Sequence, residues 1–97
     1  MNKEIALMFK ALADENRLKI FELLIEGETC GCTLIDKLPI TQPTMSYHLK
    51  FLTDAGMTTS VKEGVWKKHH VAMDKIDMLI KYLEDLKEIK GQCLVDE

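Results

Sequence analysis

Two cysteines separated by a single glycine, Cys30-Gly31-Cys32, are the residues of this chain best suited to chemistry. Thiolates are soft ligands that select thiophilic ions, and a reducing cytosol keeps them ready to bind. Three cysteines, an odd number, in a chain that opens without an export signal imply free thiols rather than a disulfide framework. Cys30 and Cys32 are therefore the expected ligands of a metal or metalloid. On a regular helix, residues two apart point about 200° away from each other. The two thiols open a short helix, so an ion that both hold must bend or unwind that end of it, and Gly31 lowers the cost of that distortion.

Other chemistry is poorly supported. A structural zinc finger needs four ligands, and there is no second cysteine pair. His69 and His70 are adjacent on a β-prone run and point to opposite faces, so at most one could join any shared site, and no ligand role is assigned to them. His48 is expected to serve the surroundings of its own helix, or a phosphate, rather than a metal. No Cys-His or Ser-His arrangement has local support, no paired carboxylates sit in an apolar setting, and no glycine loop cradles a phosphate, so the chain does not read as an enzyme.

The elements that must position the cysteines fit one small domain. The 97 residues are 46% hydrophobic and 30% charged, ordinary for a globular protein, and the net charge of −3 argues against a protein that coats nucleic acid. A local basic stripe can still contact phosphates. The start of the chain lacks the pattern of a signal peptide and no apolar run is long enough to span a bilayer, so a cytoplasmic protein is expected. An almost wholly apolar first helix, about residues 3–13, is followed by a second that Asp14 caps and Gly27 stops. A short third helix is expected over about 32–38, burying Leu34, Ile35 and Leu38.

The signals sharpen after Pro39. Thr41 can cap a helix, Ile40 and Met45 occupy the positions of a hydrophobic staple, and Pro43 falls in the first turn. Over about 41–55 Met45, Leu49 and Leu52 form a buried stripe and Gly56 ends the helix. The opposite face carries Pro43, Ser46, Tyr47, Lys50 and Asp54. Two helices joined by a tight turn, the second polar in this way, form a helix-turn-helix whose second helix reads the major groove. Gln42, Thr44, Ser46 and Tyr47 are the expected base contacts, and Lys50 an expected phosphate contact.

A hairpin is expected over about 58–71, turning at Glu63-Gly64 and carrying Lys62 and Lys67 toward flanking phosphates. A last helix, about 74–89 and capped by Asp74, has one apolar stripe of Ile76, Leu79, Leu83 and Leu86 and a second of Met78, Tyr82 and Ile89. Two apolar sides suggest a dimer seam through the terminal helices. The expected fold is thus mainly α with a small β-hairpin wing: a winged helix-turn-helix in the order α-α-α-α-β-β-α, occupying residues 1–97 as one domain, homodimeric, with double-stranded DNA as its partner and no membrane.

Four segments together resemble the ArsR/SmtB family of winged-helix repressors: 12–18 (Leu-Ala-Asp-Glu-Asn-Arg-Leu), 28–34 (Glu-Thr-Cys-Gly-Cys-Thr-Leu), 41–49 (Thr-Gln-Pro-Thr-Met-Ser-Tyr-His-Leu), and Ala55-Gly56-Met57 followed by Glu63-Gly64-Val65-Trp66. The likeness spans about residues 5–88 and implies a homodimer that represses an operon and leaves its operator when arsenite or antimonite binds. The family's arsenic box falls on Glu28 to Leu34 with both cysteines kept. The third cysteine of the best-known arsenic branch is replaced by Ile35, and the last helix has no histidine for the zinc- and cobalt-type site. Arsenite prefers three sulfurs, so a small thiol, water or Cys93 would complete the shell. Cys93 lies in a segment expected to be a mobile tail just past the last helix, and ordering such a tail costs roughly 1–2 kcal/mol per residue, which favours the two-cysteine site. The alternative is a regulator of the same family that answers another soft metal or thiol oxidation, or that has no inducer.

Overall fold

The structure is a computed structural model describing residues 2–93, with the side chains of Trp66 and residues 90–93 outside that description. Its elements run α1 (Asn2–Leu12), α2 (Glu15–Glu26), α3 (Gly31–Leu34), α4 (Gln42–Asp54), β1 (Thr58–Glu63), β2 (Trp66–Val71) and α5 (Met73–Cys93). The winged helix-turn-helix order expected from the sequence is the order observed.

Local chemistry sets most of the boundaries. Asp14, in extended conformation, accepts hydrogen bonds from the amides of Asn16 and Arg17 and so starts α2. Gly27 ends it at φ 115°, a left-handed conformation that glycine adopts without a Cβ penalty. Thr41 caps α4 by accepting from the Thr44 amide at 3.4 Å. Met8, Ala11, Ile20, Leu24, Leu34, Met45, Leu52 and Met57 form the centre of one core to which α1, α2, α3 and α4 all contribute.

Four expectations need correcting. The third helix is a single turn rather than a run over 32–38. Beyond Leu34 the chain tightens into three-residue turns, with the Asp36 amide donating to Thr33 and the Lys37 amide to Leu34, while Pro39 turns Leu38 away from helical angles. The hairpin reverses one residue later than expected: Glu63 pairs with Trp66, so the loop is Gly64-Val65. Gly64 takes φ 64° and Val65 has no positive φ, the pattern of a loop with glycine first. The last helix begins at Met73, placing Asp74 inside its first turn rather than at the cap. It also continues through Cys93, because a lone glycine in a helix costs only about 1 kcal/mol and no proline intervenes. Cys93 is thus the last residue of α5 and not part of a segment beyond it, and its side chain lies outside the described residues.

Candidate ligand pocket and nucleic-acid interface

Cys30 is not in a helix. It is the N-cap of α3, with φ −99° and ψ 134°, and only Gly31 and Cys32 beyond it enter the helical turn. The extended cap swings its side chain back over the turn, where its sulfur accepts from the Cys32 amide at 3.2 Å. The two Cα atoms are 5.2 Å apart and the sulfurs of Cys30 and Cys32 are joined as a disulfide. This corrects two expectations. These thiols are paired rather than free, and bringing them together requires no unwinding, since the 200° divergence applies only when both residues are helical. Gly31 contributes no unusual backbone angle: its φ is not positive, and a Cβ there would stand 3.7 Å from Leu49 Cδ1, an ordinary contact.

The loop carrying the cysteines is stitched to the wing. The His69 amide donates to the Thr29 carbonyl at 2.8 Å, and Cys30 forms an isolated antiparallel bridge with Lys68. On the other side α3 is anchored by Leu34, which is wholly buried, and the loop by a Lys37–Glu28 ion pair of 3.6 Å. A pocket of about 280 Å³ opens between these elements, lined by Cys30, Gly31 and Cys32, by Gln42, Met45, Ser46 and Leu49 of α4, and by Lys67 and His69 of β2. Four of these residues also line a larger groove of about 500 Å³ running along α4 to Asp54.

α4 presents the face the sequence assigns it. Met45, Leu49 and Leu52 are buried, while Gln42, Pro43, Ser46, Tyr47, Lys50 and Asp54 are exposed and Thr44 is half-buried. Lys50 reaches Asp54 at 2.8 Å, one helical turn away. Both groups are well exposed, so the pair adds little to stability and Lys50 is easily drawn to another anion. Lys62 and Lys67 are directly opposed across the hairpin. Like charges in that position weaken a ladder, so the pair has no stabilising role in the hairpin itself. Lys68, by contrast, has Glu63 at 3.8 Å.

The inner flank of α4 holds a residue that sequence reasoning missed. Arg17 is 7% exposed; its Nε donates to the Ala11 carbonyl at 2.7 Å and its Nη1 lies 3.1 Å from His48 Nδ1. Its guanidinium stacks 4.1 Å above the Phe51 ring. Arginine has no acceptor, so His48 must offer its Nδ1 lone pair and carry its proton on the other nitrogen. His48 thus serves its own helix's surroundings, the first of the two roles expected for it. Arg17 stands in the first turn of an ordinary surface helix, and the only hint was an isolated cation three residues past the Asp14 cap.

These features define a winged helix-turn-helix DNA-binding regulator. A profile described as "Bacterial regulatory protein, arsR family" matches residues 14–60. The chain is 41% identical over 91 residues to the arsenical resistance operon repressor of Bacillus subtilis, covering 88% of this chain and 85% of that protein. It is 40% identical over 85 residues to an uncharacterised HTH-type transcriptional regulator of Methanocaldococcus jannaschii, covering 87% of this chain and 96% of that one. An ArsR-like transcriptional regulator from Rhodococcus sp. RHA1 superposes with a TM-score of 0.89 at 25% identity, covering 98% of this chain and 90% of that chain. The chain belongs to the ArsR family of transcriptional regulators, a family of DNA-binding proteins and not of enzymes. Among the described residues no helix is long and apolar enough to cross a membrane.

Proposed function

We propose that this chain is a metalloid-responsive repressor that binds operator DNA as a homodimer and is released when arsenite or antimonite binds Cys30 and Cys32. The observation that carries the reading is the convergence of both sulfurs at the cap of α3, on the wall of a pocket whose opposite wall is α4. An ion held there after reduction acts on the reading helix directly, through the pocket residues Gln42 and Ser46 on its exposed face. Relatives named as arsenical resistance operon repressors in Bacillus subtilis and Staphylococcus aureus support the choice of inducer.

In this reading Gln42, Thr44, Ser46 and Tyr47 meet base edges, and Lys50, Lys62 and Lys67 meet phosphates. Two subunits read half-sites about one DNA turn apart. The seam is formed by α1 and α5, where Leu7, Phe9, Leu83, Leu86 and Ile89 are all exposed and Phe9 packs against Tyr82 in a tilted arrangement with ring centres 6.1 Å apart. Leu83→Asp should place an unpaired charge in that seam and give monomers by sedimentation. A wild-type protein that is monomeric at micromolar concentration and still binds its operator tightly would refute the dimer.

The deciding experiment is an operator gel shift on DNA upstream of the gene, with reduced protein, with and without arsenite. Cys30→Ser and Cys32→Ser should keep operator affinity within threefold, roughly 0.7 kcal/mol, and lose release by arsenite. A variant that still dissociates normally sinks the assignment. Cys93→Ser should release as wild type does in the presence of glutathione, and a tenfold loss would add the third thiol to the site.

One observation favours a second reading, a thiol redox switch: the two sulfurs already stand within bonding reach. A peroxide would take two electrons and two protons from the dithiol, forming the S–S bond and two waters. Release of the wild type by peroxide but not by arsenite would select it.

A further inference from the structure

Tyr47 is 57% exposed on the solvent edge of α4, yet two rings support it from behind. The His48 ring lies 5.4 Å from it at 57°, and the Phe51 ring, one helical turn on, lies 6.0 Å from it edge-on at 73°. Both supporting rings are held by one group: Arg17 Nη1 lies 3.1 Å from His48 Nδ1, and the guanidinium carbon is 4.1 Å from the centre of the Phe51 ring. Arg17 in turn is fixed to the end of α1, its Nε donating to the Ala11 carbonyl at 2.7 Å and its Nη2 to the Lys10 carbonyl at 3.5 Å. Four side chains therefore close a circuit, Arg17 to His48 to Tyr47 to Phe51 and back to Arg17, and Tyr47 is its exposed member.

We propose that Arg17 and His48 are positioning residues for DNA reading: they touch no base, and they hold Tyr47 in the one orientation that distinguishes between base pairs. The inference rests on the reading of Tyr47 as a base contact and adds the residues that aim it. A phenol can both donate and accept, so by its chemistry alone it fits the edge of any base pair, and only its direction can select one. A free surface side chain rotates among staggered χ1 wells. Tyr47 is ordered when the domain folds instead, so the cost of fixing it does not fall on binding.

The lock depends on geometry that these residue types supply. The acceptor lone pair of an imidazole lies in the plane of its ring, so the bond from Arg17 sets the plane of His48 and with it the surface against which Tyr47 leans. Arginine can donate to carbonyls, donate to an imidazole and lay a flat cation on a phenyl ring at the same time, which lysine cannot do. A clamp that only stabilised the fold would, when broken, weaken binding to every DNA alike. A clamp that aims Tyr47 must also govern the preference for one sequence over another.

The test compares affinity for operator DNA from upstream of the gene with affinity for a scrambled duplex of the same length, at one salt concentration. It uses the reduced, full-length protein at a temperature where each variant is folded. Tyr47→Ala should lower that ratio by about tenfold or more. Arg17→Met should lower it by about fivefold or more, and so should His48→Gln, which keeps a carbonyl able to accept from Arg17 but removes the ring behind Tyr47. Neither should lower it further in the Tyr47→Ala background, because residues that act through Tyr47 have nothing left to aim. In the unsubstituted protein the Hα–Hβ couplings of Tyr47 should report a single χ1 rotamer, and in Arg17→Met an average over several. The chain has two tyrosines, so the assignment is direct. Wild-type discrimination in Arg17→Met and His48→Gln, with Tyr47→Ala impaired, overturns the inference and leaves Tyr47 a reader. Discrimination retained in Tyr47→Ala removes the reader, and the inference with it. Averaged Tyr47 couplings in the wild type overturn the inference even if Arg17→Met fails to fold.

Discussion

The two flanks of α4 are built on opposite principles. On the inner flank a buried cation is fully engaged: Arg17 serves the Ala11 carbonyl, His48 Nδ1 and the Phe51 ring, locking the end of α1, the start of α2 and the middle of α4 together. On the outer flank lie a pocket, a half-exposed cysteine loop and an unpartnered His69 nitrogen. The reading helix is therefore clamped along one side and open to adjustment along the other. A ligand on the outer flank can change how α4 and the wing are presented without disturbing the core that holds the domain together.

Breaking the clamp should have the largest effect. Arg17→Met keeps bulk against Phe51 but strands the Ala11 carbonyl and His48 Nδ1, at about 1–3 kcal/mol for each buried group. A loss of about 3 kcal/mol in urea unfolding, with Tm lower by roughly 15 °C, is expected. Arg17→Lys should recover little, since a point ammonium cannot span both partners and stack. Stability within 0.5 kcal/mol of wild type would show that the inner flank is not a clamp.

The solvent edge of α4 comes next. Alanine at Ser46 or Tyr47 should leave the melting curve nearly unchanged, because both are exposed, and cost on the order of 1–3 kcal/mol in operator affinity with altered base preference. Alanine at Lys62 or Lys67 should weaken all DNA alike and reduce the salt slope by about 0.9 per contact. Specific binding that survives alanine at Gln42, Thr44, Ser46 and Tyr47 together would move the reading function elsewhere.

A smaller effect tests the cap beside the clamp. The Arg17 backbone amide holds the Asp14 carboxyl below its ordinary value of 3.8, against the opposing effect of burial and with help from the Asn16 amide. A lowered native value means that this contribution is complete above pH 3.8 and disappears as the pH falls through the native value. Asp14→Ala should cost about 1 kcal/mol at neutral pH, and the gap to wild type should close under acid. A gap that persists at low pH would assign the loss to packing.

The smallest effect belongs to the open flank. Gly31 has an ordinary φ and room for a Cβ, so Gly31→Ala should be neutral or stabilising by up to about 1 kcal/mol in unfolding assays and should keep the response to ligand. A Gly31→Ala protein that binds its operator but no longer responds would show that the cysteine loop does unwind.

Much of the fold was legible because its signals are local. Asp14, Gly27, Thr41, Pro43 and Gly56 act through the backbone within a turn of themselves, and the buried stripe of Met45, Leu49 and Leu52 follows from the helical repeat. The errors were local too. The wing turn slipped by one residue because Glu63-Gly64 and Gly64-Val65 both place a glycine in a two-residue loop, and pairing with Trp66 across the ladder decides between them. The start of α5 moved because Asp74 fits a first turn as well as a cap.

What the sequence determined by itself, then, is the order of elements, the polar face of α4 and the presence of a paired-thiol motif, since each depends on neighbours along the chain. Only the tertiary structure decided what those residues do to one another. Cys30 converges on Cys32 because a bridge to Lys68 and the neighbouring Thr29–His69 bond hold the loop extended up to the cap of α3. Arg17 becomes a hub only where the end of α1 and the inner face of α4 meet it. His69 comes to the cysteine pocket from 37 residues farther along the chain than Cys32, because its amide ties β2 to the Thr29 carbonyl just before the cysteine loop. Periodicity and capping operate over a turn or a strand, whereas these three arrangements depend on contacts between elements remote in sequence, which no local pattern encodes.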